Sequence, residues 1–357
     1  MSMPKMATDS QLMLAEKGAL TEVLLSTAPV CCQKEDWRKA WTGYLCIVLV
    51  ALTWVAQSEV AQAVEANSYN RPYLITYFNH SLCLLLAPAQ GMVLFLLGQT
   101  HNPVVQLLSQ GSRVIRDIVL ISVIYQVADW VWYIGLSSTS VADGTIIFNS
   151  MSIFVFLMEW LLGKSRISAL KGFAVLLSLL GVVVVEYAPA ANSVSTASQA
   201  GCLSQTGGNL LVLLAALLYA LYQVKIDMSM PCLDAVTTNA FVAIQGLTTL
   251  VLLWPGIYLL NQLPAWCFAA EAFQLPQSDA ARGVLLSGLL AFAFNVFFCL
   301  ALVLTSPLKV SVGCMLSVPC SLVADALLHG DSISSSAFFG SGLVIVGFLM
   351  ITLQGNP

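Results

Sequence analysis

The chain has 357 residues, 58% of them hydrophobic and 9% charged, with a net charge of −4 and a mean hydropathy of +0.85. A soluble domain carries about a quarter of its residues as charges, so this composition excludes a soluble globule and makes the bilayer its solvent. The small net charge gives no footing for a nucleic-acid partner. Apolar runs of about 20 residues, rich in leucine, point to spanning helices rather than to the alternating strands of a barrel.

Residues 1–40 are too polar for a secretory leader and read as a flexible cytosolic tail. Cys31 and Cys32 lie just before the first apolar run, where reversible palmitoylation is chemically reasonable. Ten spans then follow, at roughly 43–64, 72–97, 117–136, 141–162, 169–188, 208–227, 237–260, 282–304, 307–328 and 335–354. The stretch 189–207 is a polar linker dividing a first five-helix repeat (41–188) from a second (208–354). The expected fold is therefore all-α: a polytopic membrane protein with about ten transmembrane helices in two inverted five-helix repeats.

Basic residues set the orientation. With the amino terminus inside, Lys34, Arg38, Lys39, Arg113, Arg116, Lys164, Arg166, Lys171, Lys225 and Lys309 fall on the cytosolic side, against Arg71 and Arg282 opposite. That asymmetry follows the positive-inside rule and puts both termini in the cytosol. Cys202 and Cys267 then share the outer or lumenal face, where a disulfide is permitted. His80, His101 and His329 lack ligand spacing, and the ten cysteines form no CxxC pair. Neither a metal site nor a cofactor is expected. With no nucleophile–base pair or paired-acid motif, an enzyme is not expected either, and no GxxxxGK[ST] loop supports an ATP-driven pump.

One self-overlay keeps register, at an offset of 166 residues. Thr139-Ser140 meets Thr305-Ser306, Gln57 meets Gln223, Asn79 meets Gln245, Arg116 meets Arg282, and Asp129 meets Asn295. Glu159 meets Asp325, Ile167-Ser168 meets Ile333-Ser334, and Gly181 meets Gly347. Five spans per half is an odd number, so the second half enters the membrane upside down. Inverted repeats are a mark of secondary carriers.

Several segments in order carry a family likeness. They are Ser58-Glu59, Arg71-Pro72-Tyr73-Leu74-Ile75-Thr76-Tyr77, Ala128-Asp129-Trp130, Thr139-Ser140-Val141, Ala174–Gly181, Asn209–Val224, Leu253-Trp254-Pro255-Gly256 with Glu271, Phe273 and Pro276, and Thr305-Ser306 with Pro319 and Ala324-Asp325. Over residues 41–354 the chain resembles the drug/metabolite transporter superfamily (EamA-like), specifically solute carrier family 35, subfamily F, in its member-five-like branch. The resemblance implies ten helices and a small polar solute as cargo. Asp129 stands where the family usually has Asn, and Asp143-Gly144 replace a Ser/Thr-rich start to the fourth span.

Ionisable residues at membrane depth are costly and mark function by default. Asp129 leads, because an unpaired carboxylate in hydrocarbon tends to take up a proton; that suits proton coupling or a cationic substrate, and a structural bond to Asn295 is the plainer reading. Gln57, Gln223, Glu59, Asn79, His80, Trp132 and Asn149 complete the candidate substrate contacts. Asp143, Lys309, Pro319, Glu159 and Asp325 are candidate gating residues, with Glu159 and Asp325 read as rim salt-bridge formers that reach water. Gly181, Gly340, Gly342 and Gly347 read as sites of close helix approach. Trp37, Trp41, Trp160, Trp254 and Trp266 read as interfacial anchors, whereas Trp54, Trp130 and Trp132 are deep enough to stack on a ring-containing solute.

The function expected is alternating-access transport of a small polar metabolite, in the nucleotide-sugar, vitamin or metabolite carrier class. A non-transporting sensor or scaffold on the same fold is the alternative. Partners expected are the solute and the lipid bilayer, with a homodimer allowed. An endomembrane address, Golgi or vacuole, is favoured over the plasma membrane.

Overall fold

The computed structural model describes residues 37–66, 69, 71–99, 102–136, 138–139, 141–163, 168–187, 204–229, 234–263, 270–328 and 333–353. Cys31, Cys32, Cys202, Cys267, His101, His329, the side chains of Trp37 and Asp325, and Trp266 lie outside what is described.

Ten helices are long and apolar enough to cross a bilayer. They are span 1 (Arg38–Val60), span 2 (Pro72–Leu96), span 3 (Ser112–Leu136), span 4 (Asp143–Leu161), span 5 (Ala169–Glu186), span 6 (Gln205–Ser229), span 7 (Ala235–Asn261), span 8 (Ala280–Leu304), span 9 (Pro307–Ala324) and span 10 (Ser335–Leu353). Each coincides with one of the apolar runs above. Their outer faces carry the leucines and phenylalanines that a water-soluble fold would bury: Leu176, Leu180, Phe338, Phe339 and Leu353 are all exposed, as suits contact with lipid. Trp41, Trp160 and Trp254 are exposed near span ends, where interfacial tryptophans sit.

Local chemistry sets several boundaries. Pro72, Pro103 and Pro307 each occupy the first turn of a helix, where a missing N–H costs nothing. A short helix absent from the sequence-based scheme, Pro103–Leu108, joins spans 2 and 3, and Asn102 caps it by accepting from the amides of Val104 and Val105 at 3.0 and 3.3 Å. Span 4 breaks at Ser150 and span 9 at Met315-Leu316. Ser150 and Leu316 are 166 residues apart, so the interruptions keep the register of the sequence overlay. The break in span 9 falls just before Pro319, which sits in the first turn of the restarted helix rather than at a mid-helix kink.

Two helix pairs pack most extensively, span 5 with span 10 and span 3 with span 6. Small residues allow both. A Cβ placed on Gly181 would lie 2.6 Å from the Gly340 carbonyl oxygen, and one on Gly347 would lie 2.8 Å from the Ala174 carbonyl. Likewise a Cβ on Gly135 would sit 2.9 Å from the backbone nitrogen of Val212, and one on Gly208 would sit 2.9 Å from the Gly135 carbonyl. These are backbone-on-backbone approaches of the kind small residues permit in membranes. Gly342 differs from expectation: nothing lies within 4 Å of a Cβ built there, and the residue is exposed.

The contacts come in exchanged pairs. Gly181 meets Gly340, and at the 166-residue offset their counterparts, Gly347 and Ala174, meet each other. At the span ends, a Cβ on Gly43 would lie 2.5 Å from Thr305 Cγ2, and the counterparts Asn209 and Thr139 are joined by a short side-chain hydrogen bond.

Candidate functional site

Spans 1, 3, 4, 6, 8 and 9 line a cleft that is partly open to solvent and measures about 590 Å³ with its open mouth included. Its wall is aromatic: Trp54 from span 1, Trp132 from span 3, Phe148 from span 4, Tyr219 from span 6, and Phe294 and Phe298 from span 8. Val50, Ala51, Met151 and Cys314 fill the gaps, while Thr145, Asn149 and Ser317 supply polar groups. Asn149 and Ser317 flank the breaks in spans 4 and 9, where a helix interruption turns polar side chains toward the cleft. The wall therefore draws on both halves of the sequence, and among the described residues no lysine or arginine lines it.

The rings are held by one another. Trp54 stacks on Phe148 (centroids 6.1 Å apart, 11° between planes), meets Trp132 edge-on at 5.8 Å, and tilts against Phe294 at 5.5 Å. Such pairs each contribute about 0.5–1.5 kcal/mol beyond burial. Trp130, in contrast, turns away and packs edge-on against Tyr73 at 5.7 Å; it supports spans 2 and 3 and does not line the cleft.

Behind the cleft lies a buried polar network. His80 Nδ1 is 2.8 Å from Gln126 Oε1, and His80 Nε2 is 2.9 Å from Asp129 Oδ2. Gln126 Nε2 donates to Thr76 Oγ1 at 2.8 Å, and the Thr76 hydroxyl donates to the Tyr73 carbonyl at 3.0 Å. The other Asp129 oxygen accepts a short hydrogen bond from the Tyr219 hydroxyl. The His80 ring stacks on Tyr125 at 4.0 Å, and Tyr125 stacks on Tyr222 at 4.6 Å. Tyr125 also interacts with Asn295 and Tyr219. Tyr219 thus belongs to both regions, since its ring lines the cleft and its hydroxyl binds the carboxylate.

The structure brings Asp129 and His80 together directly, and Asn295 reaches them only through Tyr125. Asn295 spends its amide on the Ala291 carbonyl of its own helix at 2.8 Å, so the direct Asp129–Asn295 contact does not form. Trp132 and Asn149 line the cleft. Gln223 is fully buried one layer behind it, with Nε2 3.0 Å from Met151 Sδ, and does not bond Gln57. Asn79 is turned toward span 8, donating to Ser287 at 3.3 Å. Gln57 and Glu59 are half-buried on span 1 and do not line the cleft.

Three of the gating candidates, Asp143, Lys309 and Glu159, are anchored near span ends. Asp143 accepts from the Tyr187 hydroxyl at 2.8 Å and from Gln205 at 3.2 Å, which ties spans 4, 5 and 6. Lys309 is buried, donates to the Tyr44 hydroxyl at 3.3 Å and lies 5.7 Å above that ring. Glu159 is also buried and accepts from the Leu308 amide at 3.1 Å, so it caps the start of span 9 instead of reaching water. Lys225 pairs with Asp117 at 3.2 Å. Among the described residues no group of three potential metal ligands occurs. The thiols of Cys46, Cys83 and Cys299 are buried.

Sequence reasoning missed Tyr219, Tyr125, Gln126, Thr76, Phe148 and Phe294. A helical-wheel reading of spans 2 and 3 held part of the signal: Thr76 and His80 lie four apart, and Gln126 and Asp129 three apart, each pair on one face.

Residues 41–187 match the EamA-like transporter family. An uncharacterized transporter of Schizosaccharomyces pombe is 28% identical over 87% of this chain and 94% of its own length. Solute carrier family 35 member F5 of Macaca fascicularis is 28% identical over 63% of this chain and 51% of its own. The chain is thus similar to EamA-like transporters of the drug/metabolite transporter superfamily. Its likeness to solute carrier family 35 members points toward the subfamily F branch, and with ten apolar helices it is a multi-pass membrane transporter. The fold recurs in a crystal structure that superimposes with a TM-score of 0.64 over 88% of this chain and 99% of the other, at 14% identity.

Proposed function

We propose that the chain is a secondary carrier working by alternating access, with the aromatic cleft as its cargo site. The observation that carries this reading is the cleft itself, enclosed by six rings and drawn from both halves of the sequence. Pockets that are mostly apolar with a few placed polar groups suit compact organic solutes. The cargo that fits is small and contains a flat ring, stacked by Trp54, Trp132 and Phe148 and oriented by Asn149, Thr145 and Ser317. A phosphate-bearing nucleotide sugar would find no counter-charge on this wall, so within the expected metabolite range the lining favours uncharged or cationic rings.

The exchanged contacts support two inverted halves. When residue i meets j and their counterparts meet in the same way, a local two-fold relates the halves. With five spans in each, that axis lies in the membrane plane, the geometry that lets the halves swap conformations. Cytosolic termini and an endomembrane address complete the reading.

Reconstituted protein should exchange at least one of nicotinamide, pyridoxine, adenine or thiamine across liposomes in counterflow assays, and should leave UDP-glucose untransported. If members of this panel stabilise the protein against heat but none crosses, the sensor reading takes over. Transport of UDP-glucose alone would overturn the cargo class.

A further inference from the structure

Span 6 presents Tyr219 to the cleft, and Gln223 stands one helical turn further along on the same face. Its side chain is fully buried, yet its amide is poorly matched. Nε2 lies 3.0 Å from Met151 Sδ, and Oε1 has no hydrogen-bond partner among the described residues. A thioether sulfur is a weak acceptor and donates nothing, so turning the amide over would only set oxygen against sulfur. In either orientation the amide has one weak partner. The neighbouring helix adds a second group of this kind. On span 4 the Ser152 hydroxyl is fully buried and also makes no hydrogen bond among the described residues.

Buried polar groups left in this condition cost stability. A leucine or a second methionine would fill the same space without that cost, so packing does not account for a glutamine here. Met151 connects the amide to the cleft, because its side chain lines the wall and its sulfur touches Nε2. It is the first residue of the restarted helix in span 4, directly after the break at Ser150. With an unbranched side chain and three rotatable bonds, a methionine moves aside more readily than any ring of the wall.

We infer that Gln223 is a specificity contact of the cargo site, covered by the Met151 thioether and uncovered when cargo displaces it. This rests on the carrier reading of the cleft. A glutamine amide offers N–H donors beside a carbonyl acceptor, so it pairs with a ring edge that carries a donor next to an acceptor: a carboxamide, a lactam or an aminopyrimidine. The aromatic wall holds the flat face of such a solute, and the amide reads its edge. A ring that lacks the donor leaves the Gln223 carbonyl unpaired and gains nothing from moving Met151. The cargo class thereby narrows from flat rings in general to rings with a paired donor and acceptor on one edge.

The test uses the full chain in lipid nanodiscs and two probe pairs, adenine with purine and nicotinamide with methyl nicotinate. Within each pair the second probe lacks the amino donor. Calorimetric titration of wild type should show adenine and nicotinamide bound about tenfold more tightly than their partners, the discrimination a paired donor and acceptor supplies. Gln223→Met fills the same volume without the amide. It should erase the preference by weakening adenine and nicotinamide alone, and its unfolding temperature should not fall. Met151→Ala uncovers the amide and should widen the adenine-to-purine ratio; that ratio and the wild-type one decide the matter if Gln223→Met does not fold. Equal affinities within each pair in wild type, or a preference that survives in Gln223→Met, would overturn the inference and leave the carrier reading standing. Failure of all four probes to bind wild type would overturn both.

Discussion

At the scale of single residues, the three deep tryptophans illustrate how differently one residue type is used. Trp54 and Trp132 line the cleft, while Trp130 braces spans 2 and 3 against Tyr73. Trp54→Ala removes a ring that contacts three others, which should weaken binding of a ring solute by about 1 kcal/mol, roughly fivefold, with a modest loss of stability. Trp130→Ala should do the reverse, lowering the unfolding temperature and leaving affinity nearly intact; calorimetric titration and thermal unfolding of the two variants separate the effects. Asp129 and His80 were legible in the sequence, because ionisable side chains within apolar runs stand out. Their pairing was not, since the two lie 49 residues apart on different spans and only packing brings them to 2.9 Å. Tyr219 was invisible for another reason. A tyrosine in a leucine-rich helix is ordinarily core, and nothing in NLLVLLAALLYALYQV marks which of its two tyrosines reaches a carboxylate.

At the scale of elements, hydropathy located the spans well because the bilayer demands about 20 apolar residues wherever a helix crosses. The breaks in spans 4 and 9, at Ser150 and Met315-Leu316, fall inside runs long and apolar enough to be read as single spans, yet they position polar groups on the cleft. The span 5–span 10 contact depends on absent side chains. Gly181→Ala would put a methyl 2.6 Å from a backbone carbonyl that cannot rotate away. The helices must separate, at a cost of about 1–3 kcal/mol read as a lower unfolding temperature, and Gly342→Ala, facing open space, should be neutral. Glu271 controls the start of span 2, accepting from the Tyr73 and Leu74 amides at 2.8 and 2.9 Å. Burial pushes its carboxyl above the ordinary carboxylate range, against those two donors and the charge of Arg71. A raised folded-state value means that the stability gained from the neutral acid is present at low pH and is lost as pH rises through that value. Wild type should therefore lose thermal stability relative to Glu271→Gln as pH climbs out of the acidic range. Glu271→Ala, which removes the cap altogether, should cost about 1–2 kcal/mol throughout.

At the scale of the whole molecule, the 166-residue register links sequence, packing and mechanism. Paired contacts at Gly181–Gly340 and Ala174–Gly347, and at Gly43–Thr305 and Thr139–Asn209, are what a two-fold between halves produces. The register was readable in the sequence as matched polar positions, but leucine-rich helices overlay easily by chance, and the paired contacts add support of a different kind for the proposed axis. An axis in the membrane plane makes a sharp topological demand. Arg116, near the start of span 3, and its counterpart Arg282, near the start of span 8, must emerge on opposite faces, although each begins the third span of its half. Both are exposed. In a cysteine-free background, Arg116→Cys should react with a membrane-impermeant maleimide only when the reagent is on the side of the amino terminus, and Arg282→Cys only from the other side. Labelling of both from one face would mean that the halves are parallel. The two-fold would then stand along the membrane normal, and exchanging the conformations of the halves could no longer convert an inward-facing cleft into an outward-facing one.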